Sequence, residues 1–167
     1  MWYNLLVHKE EIMDIKQLRE EIIKPILEML DLYSKNAENL LLGTACQESH
    51  AGEYVRQLGC KGDVGAFGIY QMELATHNDI WDNFLKYNKP IADKIKMLRI
   101  KELSDAENLT FNLAYATAMC RVHYYRISEK IPDNIYGQAQ YWKKYYNTEL
   151  GKGTIEEYQQ NWNRLVK

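Results

Sequence analysis

The chain has 167 residues, of which 46% are hydrophobic and 26% are charged, and its formal net charge is −2. These values are typical of one globular domain, and we expect residues 1–167 to form a single domain that acts as a monomer. Because there is no basic excess, we expect no nucleic acid as a partner. No apolar stretch approaches the roughly 20 residues that span a bilayer, so we expect no membrane partner.

The N-terminal sequence does not resemble a secretory signal. The stretch MWYNLLVHKEEI has a short apolar run, no basic region before it and no small-residue cleavage site after it. Three cysteines, Cys46, Cys60 and Cys120, are an odd number for a disulfide framework. We expect reduced, mostly buried thiols, although the sequence leaves a Cys46–Cys60 bridge open.

The first 33 residues are predicted to form an N-terminal helical segment, because apolar residues recur every three or four positions. Pro25 interrupts this stripe, which predicts a kink or a split. A second helix is predicted to carry residues 40–48, with Asn36 as its N-cap and Gly52 as its terminator. The apolar positions of the first stripe are Ile15, Leu18, Ile22, Ile26 and Leu30.

Residues 57–73 break the helical pattern. Their glycines predict a loop and a short β-hairpin. Four of them fall within ten positions, namely Gly59, Gly62, Gly65 and Gly68. Helical periodicity then resumes, and we predict helices at about 74–87, 91–103, 105–128, 137–146 and 154–166. The predicted fold is therefore mainly α, a single helical domain with one small β-hairpin.

Glu48 is the strongest candidate for a catalytic group. Leu41, Ala45 and Glu48 are spaced i, i+4 and i+7, so they share a helix face, and the two apolar residues predict that this face is buried. Burial and the negative end of the helix both disfavour the ionised carboxylate, so the pKa of Glu48 should be raised. A glycosidase needs such a protonated acid to protonate a leaving oxygen. The alternative is an acid that turns outward at the helix end without a catalytic role.

The stretch GAFGIYQME, residues 65–73, offers groups for sugar recognition. Tyr70 has a ring face for stacking, and Gln71 has an amide that both donates and accepts hydrogen bonds. Glycines in a strand allow a ligand or a second backbone to approach closely. Taken alone, the same residues also describe an ordinary glycine-rich hairpin.

Taken together, these stretches resemble the active-site segment of the goose-type lysozymes. The matching residues are, in order, ESHAG at 48–52, GD at 62–63, GAFGIYQME at 65–73 and His77. The shorter pattern Glu-Ser followed by Gly-x-x-Gln is shared with the soluble lytic transglycosylases. Downstream, weaker matches are Asn112-Leu113 with Ala116, where glycine is usual, and Tyr146-Asn147.

The resemblance implies a lysozyme-like (α+β) fold, with residues 34–167 as the catalytic core. It implies an enzyme that cleaves the β-1,4 bond between N-acetylmuramic acid and N-acetylglucosamine. Its partners would be peptidoglycan glycan strands, and it would need no metal or other cofactor. Glu48 matches the general acid, and Gly68 matches the glycine that lets the glycan approach the strand. The sugar-contacting positions of the family are matched by Ser49, Gln71, Tyr146 and Asn147.

Two further acids bear on how the bond is cleaved. Goose-type lysozymes position water with one or two aspartates, and an inverting hydrolase needs its two carboxyls roughly 6.5–9.5 Å apart. Asp63 and Glu73 stand near those positions and favour hydrolysis. However, Asp63 lies slightly further from Glu48 than in the family pattern, and Glu73 replaces an aspartate. Each acid also has a structural alternative, a turn for Asp63 and a helix cap for Glu73. The lytic transglycosylases, which use a single glutamate, are the alternative.

Other features support different interpretations. Cys46 and His50 are spaced i, i+4 like a thiol–imidazole dyad, but a free buried cysteine is the commoner case. His77 matches a family histidine, although a lone histidine is more often structural. Trp142 and Tyr145 are candidates for the far wall of a sugar cleft. A non-catalytic glycan-binding module, or a structural component of a virion, is the second alternative function.

The absence of an export signal suits a phage endolysin or a virion-borne lysin. We therefore expect the protein in the host cytoplasm until it is released to the cell wall, or as part of a virion.

Overall fold

The computed structural model describes residues 13–148 and 151–166. The protein is mainly helical, with 64% of residues in helices and one small two-stranded antiparallel sheet. The prediction of a mainly α fold with a small hairpin is therefore confirmed. Residues 1–12 of the predicted N-terminal helical segment lie outside the described residues.

Helices account for most of the elements in chain order. The α-helices are α1 (Ile15–Gln17), α2 (Lys24–Met29), α3 (Lys35–Ser49), α4 (Leu74–Asn83), α5 (Lys89–Leu98), α6 (Asp105–Phe111), α7 (Leu113–Tyr125), α8 (Ile135–Trp142) and α9 (Ile155–Leu165). Two π-helical segments, Leu18–Ile23 and Lys143–Asn147, and one 3₁₀ turn, Leu85–Tyr87, adjoin them. The strands are β1 (Ala66–Phe67) and β2 (Met72–Glu73), paired in antiparallel register.

The N-terminal helical run changes its hydrogen bonding where proline enters. Pro25 stands in the first turn of α2, directly after the π-helical segment. A proline ring has no N–H and crowds the preceding turn. The Lys24 N–H accordingly donates to the Arg19 carbonyl, five residues back, instead of four. Pro25 thus divides the predicted helix without ending it.

Helix α3 begins at a different cap from the predicted one. Ser34, not Asn36, is the N-cap, and its hydroxyl accepts a hydrogen bond from the Ala37 N–H at 3.1 Å. A serine in extended conformation satisfies an N–H group of the first turn in this way. The helix ends at Ser49, because His50 adopts the left-handed conformation with a φ of 50°. Gly52 belongs to the turn that follows.

The long helix predicted for residues 105–128 is divided at Asn112. Its side chain accepts a hydrogen bond from the Tyr115 N–H at 3.1 Å, which caps α7, and donates to the Leu98 carbonyl at 2.7 Å. This capping competes with helix continuation, because the asparagine backbone takes an extended conformation. The C-terminal end of α5 is tied to the start of α7 as a result.

Helices α3 and α7 form the centre of the molecule. Ten of the 15 residues of α3 and ten of the 13 residues of α7 are buried, and the Thr44 and Tyr124 hydroxyls join the two helices at 2.8 Å. Ala116, Cys120 and Tyr124 belong to a core cluster shared with α3, α8 and α9. The opposite side of α7 packs in a second cluster with the hairpin and helices α4 to α6. A helix that is apolar all round is expected at such a central position.

Helix α9 packs closely on α3. Gly43 makes this possible, since a Cβ at that position would lie 1.9 Å from the Tyr158 hydroxyl oxygen. Tyr158 is fully buried, and its hydroxyl donates to the Leu40 carbonyl at 3.4 Å. The C-terminal helix therefore covers the face of α3 that carries Leu40 and Gly43. In the described part of the chain, no helix has the length and apolar character needed to cross a membrane.

Candidate active site

Glu48 lies in the last turn of α3, between the hairpin and helix α8. Its carboxyl is partly buried, and the Trp142 indole Nε1 donates a hydrogen bond to Oε1 at 2.8 Å. Burial raises the pKa of Glu48 to about 7, while the hydrogen bond from Trp142 opposes part of that rise. The predicted rise in the pKa of Glu48 is therefore confirmed.

Among the described residues, the Glu48 carboxyl has one hydrogen-bond donor, Trp142, and no paired cation. Among residues 13–148 and 151–166, none of the ion pairs includes Glu48. A lysine or arginine at the carboxylate would favour its ionised form and lower the pKa. Desolvation therefore dominates the proton affinity of Glu48, which is the condition that a general acid requires.

The loop before α9 closes against the same indole. Gly153 is essential to this contact, because a Cβ there would lie 2.7 Å from the Trp142 ring and 3.1 Å from the Gln47 amide nitrogen. Gln47 in turn accepts a hydrogen bond from the Asn161 amide at 2.8 Å. We call Gln47, Glu48, Trp142, Tyr146 and Gly153 the Glu48 site.

Ser49 ties helix α3 to the hairpin. Its hydroxyl donates to the Ile69 carbonyl at 2.7 Å and accepts from the Gly52 N–H at 3.0 Å. The side chain is buried, so these contacts fix the turn that follows Glu48. The sugar contact implied for Ser49 would require the hydroxyl to leave these partners, and it stays a prediction.

Gly68 lets the hairpin approach helix α6. Its φ is 72°, and a Cβ would lie 1.9 Å from the Leu109 carbonyl oxygen. Packing inside the chain therefore demands glycine at this position, whatever the ligand. The approach of a glycan strand to Gly68, which the family resemblance implies, stays a prediction.

Tyr70 and Gln71 differ in what they present to a ligand. The Tyr70 side chain is only 1% exposed, and its hydroxyl lies 3.1 Å from the Thr117 hydroxyl. The predicted stacking of a sugar on the Tyr70 ring is therefore wrong for this conformation, because the ring is part of the core. Gln71 is partly exposed, and its amide nitrogen donates to the Gly68 carbonyl at 2.8 Å.

Tyr146 connects the hairpin to the Glu48 site. Its hydroxyl donates to the Tyr70 carbonyl at 2.6 Å, and its ring stacks on Tyr124 with centroids 5.4 Å apart. Burial raises the pKa of Tyr146, and the nearby Cys120 and Glu48 add to the rise. Tyr146 thus lies close enough to Glu48 for the two side chains to interact electrostatically.

Asn147 lies at the edge of the same region. Its side-chain oxygen accepts from the Lys143 ammonium at 2.7 Å, and Lys143 also donates to the Gly151 carbonyl at 2.8 Å. The amide nitrogen would lie 3.3 Å from a Cβ on Gly153. The Tyr-Asn pair of the sequence motif therefore reaches the Glu48 site from the segment that follows α8.

The two candidate water-positioning acids are both exposed. Asp63 lies in the loop before β1, and Glu73 ends β2 at the N-cap position of α4, where its side chain makes no capping hydrogen bond. Neither carboxylate is among the groups that shift the pKa of Glu48. Of the three predicted acids, Glu48 is therefore the one that is partly buried in this conformation.

His77 lies apart from the Glu48 site, beside Tyr115 of the second core cluster. It is buried, and its Nε2 lies 2.8 Å from the Tyr115 hydroxyl, which also accepts from the Trp81 indole at 3.1 Å. A buried histidine with both ring nitrogens in hydrogen bonds, to Tyr115 and Asn78, matches the structural interpretation of this residue.

The thiol–imidazole alternative finds no support in the geometry. Burial raises the pKa of Cys46 to about 12, which disfavours a reactive thiolate, and the His50 ring pairs with Glu53 at 3.0 Å. All three cysteines are free, so the Cys46–Cys60 bridge is not formed. In the part of the chain that the structure describes, no group of three His, Cys, Asp or Glu side chains could hold a metal ion.

Several members of the Glu48 site have roles that the sequence analysis does not predict. Trp142 is expected as a cleft wall, but it is buried and donates a hydrogen bond to the acid. Gln47 and Gly153 are not predicted to contribute. The available signal for Gly153 is the Gly-Lys-Gly break before the last helix, which marks a turn without indicating what the turn contacts.

Searches against protein-family models, curated proteins and solved structures find no match to this chain. The similarity to goose-type lysozymes and lytic transglycosylases therefore rests on short motifs.

Proposed function

We propose that this protein is a peptidoglycan glycosidase that cleaves the β-1,4 bond between N-acetylmuramic acid and N-acetylglucosamine, with Glu48 as the general acid. The state of Glu48 is the observation that carries the proposal. The carboxyl is partly buried, no ion pair within the described residues includes it, and its pKa is raised to about 7. A purely glycan-binding module has no need of such an acid.

In the proposed reaction, the protonated Glu48 carboxyl gives its proton to the glycosidic oxygen. The bond from that oxygen to C1 of the muramic acid breaks, and positive charge develops on the sugar ring. Glu48 becomes a carboxylate, and the Trp142 N–H, already 2.8 Å from Oε1, stabilises the new negative charge. The donor is in place before the reaction, so little reorganisation is needed.

Hydrolysis is the first of two outcomes after this step. A water molecule would attack C1, and a second carboxylate, Asp63 or Glu73, would accept a proton from that water. Both acids are exposed, and Asp63 lies in the loop that contains Gly62 and Gly65. Glycan binding would have to bring one of them to the roughly 6.5–9.5 Å from Glu48 that an inverting hydrolase uses.

Transglycosylation is the second outcome, and one observation favours it. Neither Asp63 nor Glu73 contributes to the pKa of Glu48 in this conformation. A single carboxylate suffices if the muramic acid 6-hydroxyl attacks C1 and gives its proton to the Glu48 carboxylate. The product would then carry a 1,6-anhydro end, and Glu48 would be protonated again.

Mass spectrometry of digested peptidoglycan tests the proposal and separates the two outcomes. Reducing muramic acid ends would establish hydrolysis, and anhydro ends would establish transglycosylation. For hydrolysis we expect Asp63→Asn or Glu73→Gln to lose activity, whereas the exposed control Asp82→Asn keeps it. For transglycosylation all three variants keep activity. If the folded wild-type protein releases no fragments from purified peptidoglycan, the proposed function is wrong.

A further inference from the structure

Arg121, in helix α7, is a buried cation without an acidic partner. The residue is 7% exposed, its Nε donates to the Leu32 carbonyl at 3.0 Å, and its guanidinium lies 5.3 Å from the centre of the Tyr125 ring. The Nη1 nitrogen is buried without a hydrogen-bond partner among the described residues. Within residues 13–148 and 151–166, Arg121 also belongs to none of the ion pairs.

Such a cation is costly for a folded protein. A buried donor left without a partner costs roughly 1–3 kcal/mol, and more when the group is charged. Buried Glu38, by contrast, receives hydrogen bonds from Arg19, Lys35 and Tyr33. The Arg121 guanidinium therefore lacks a counter-charge among the described residues, and a ligand in contact with it can supply one.

Arg121 lines a cavity of about 320 Å³ that has a positive character. Lys130 lines it too, and Ser34 and Asn36 bring the N-terminal turn of α3 to its wall. The N-terminus of a helix carries partial positive charge and favours anions. The acid in the lining, Glu129, already pairs with Lys144 at 2.7 Å.

The remaining walls of the cavity are aromatic and aliphatic. These side chains are Tyr124, Tyr125, Ile127, Ile131 and Tyr141. A bare inorganic anion would leave them unused, whereas a planar apolar body could lie against them. The volume is at the lower end of the roughly 300–1,000 Å³ that is usual for small-molecule sites.

We propose that this cavity binds a small organic carboxylate with a planar apolar body, whose carboxylate pairs with the Arg121 guanidinium. Arginine matches carboxylates well because its donors form a planar fork. The body of the ligand lies between the tyrosine and isoleucine side chains. Lys130 and the N-terminal turn of α3 add charge attraction at the rim.

The site is distinct from the Glu48 site. Asn36 lines the cavity near the start of α3, and Glu48 lies in the last turn of the same helix. Asn36 and Glu48 are twelve positions apart, which corresponds to about 18 Å along the axis, and the two sites come nearest where Tyr124 of the cavity wall stacks on Tyr146. The proposal of a carboxylate site therefore does not depend on whether the protein is a glycosidase.

Isothermal titration calorimetry of the full chain with benzoate, and with its neutral analogue benzamide, tests the proposal. We expect benzoate to bind at least about tenfold more tightly, because only benzoate offers an ionised partner to the guanidinium. Equal binding of both probes, or of benzoate and inorganic phosphate, would overturn the proposal. Equal binding of benzoate and benzamide would show that charge does not contribute to binding. Equal binding of benzoate and phosphate would show that the apolar walls do not contribute.

Variants then locate the binding. We expect Arg121→Gln to weaken benzoate binding at least about tenfold and Lys130→Gln about twofold, since an exposed charge contributes less. Lys101→Gln, an exposed control outside the cavity, and Glu48→Gln should bind like the wild type. If Arg121→Gln does not fold, the Nε–H signal of Arg121 in ¹⁵N NMR of the wild type replaces it. Benzoate binding that leaves this signal unmoved would overturn the proposal.

Discussion

Helix α3 carries two glutamates in opposite states. Glu38, in the first turn, is 2% exposed and receives hydrogen bonds from Arg19, Lys35 and Tyr33. Burial alone would raise the pKa of Glu38, but these three donors outweigh it and hold the pKa below its usual value. Glu48, in the last turn, has one neutral donor, Trp142, and its pKa is raised to about 7.

The comparison shows that burial alone does not keep a carboxyl group protonated. Glu38 is buried and Glu48 is partly buried, yet two cations keep Glu38 ionised, while desolvation dominates the pKa of Glu48. The helix dipole adds to this difference, because the N-terminus near Glu38 favours a negative charge and the C-terminus near Glu48 disfavours one. Glu38 is therefore built to stabilise the fold, and Glu48 is built to hold a proton.

The largest expected effect is the loss of activity in Glu48→Gln. Glutamine accepts the Trp142 hydrogen bond in the same geometry but cannot give a proton to a leaving oxygen. We expect peptidoglycan cleavage to fall by about 10²–10⁴-fold, the usual contribution of a general acid. Release of soluble fragments measures this, with the exposed Glu53→Gln as the control that stays active. Activity of Glu48→Gln within tenfold of the wild type would remove Glu48 from the acid role.

A second effect appears in stability against pH. The pKa of Glu48 is near 4.5 when unfolded and about 7 when folded, so the folded state holds the proton more tightly between these values. Its stabilising contribution is complete below pH 4.5 and is lost as the pH rises to about 7, a change of about 3 kcal/mol.

The variant Glu48→Gln has no such titration. We therefore expect wild type and Glu48→Gln to have similar free energies of unfolding at pH 4, and the variant to be more stable at pH 8. Urea denaturation at both pH values measures the difference. A wild type that gains stability over Glu48→Gln as the pH rises would contradict the assigned direction.

Glu38→Gln should behave in the opposite way. Removing the charge leaves Arg19 and Lys35 without their shared acid, so we expect a loss of about 2 kcal/mol at pH 7. Because the pKa of Glu38 is lowered, its contribution is present above the unfolded pKa and fades as the pH falls towards acid values. Urea denaturation at pH 7 and at pH 3 checks this. A loss that is larger at pH 3 than at pH 7 would count against the ion-pair explanation.

The sequence predicts Glu48 well because its environment is local. Leu41 and Ala45 lie on the same helix face, so spacing alone indicates burial, and the helix end indicates the direction of the pKa shift. The sequence signal for the hairpin is also local, since its glycines cluster in one stretch. Ser34 and Asn36 both suit an N-cap, and only the backbone conformation of Ser34 decides between them.

The partners of Glu48 are not local, which is why the sequence misses them. Trp142 is separated from Glu48 by 94 positions. Tyr70 is an error of the opposite kind, a residue predicted to contact a ligand that lies in the core. An aromatic residue beside glycines suits a sugar site as well as a core. Its place in the interior depends on Thr117 in α7, which no periodicity links to the hairpin. Patterns within one element therefore predict residue environments, whereas contacts between elements need the fold.

Trp142→Phe is expected to have the smallest effect. It removes the single hydrogen-bond donor of Glu48, where Glu38 has three. Phenylalanine retains packing against Tyr158 but has no N–H, so the ionised form of Glu48 loses its only side-chain hydrogen bond among the described residues. Since that bond lowers the pKa of Glu48, we expect the pKa to rise and the alkaline limb of the activity profile to move to higher pH. Profiles of kcat/KM against pH measure the shift, with Trp162→Phe as a control that leaves the limb in place. A limb that moves to lower pH would mean that the Trp142 hydrogen bond stabilises the protonated acid instead. The contrast with Glu38 would then depend on the number of donors and also on which protonation state each donor favours.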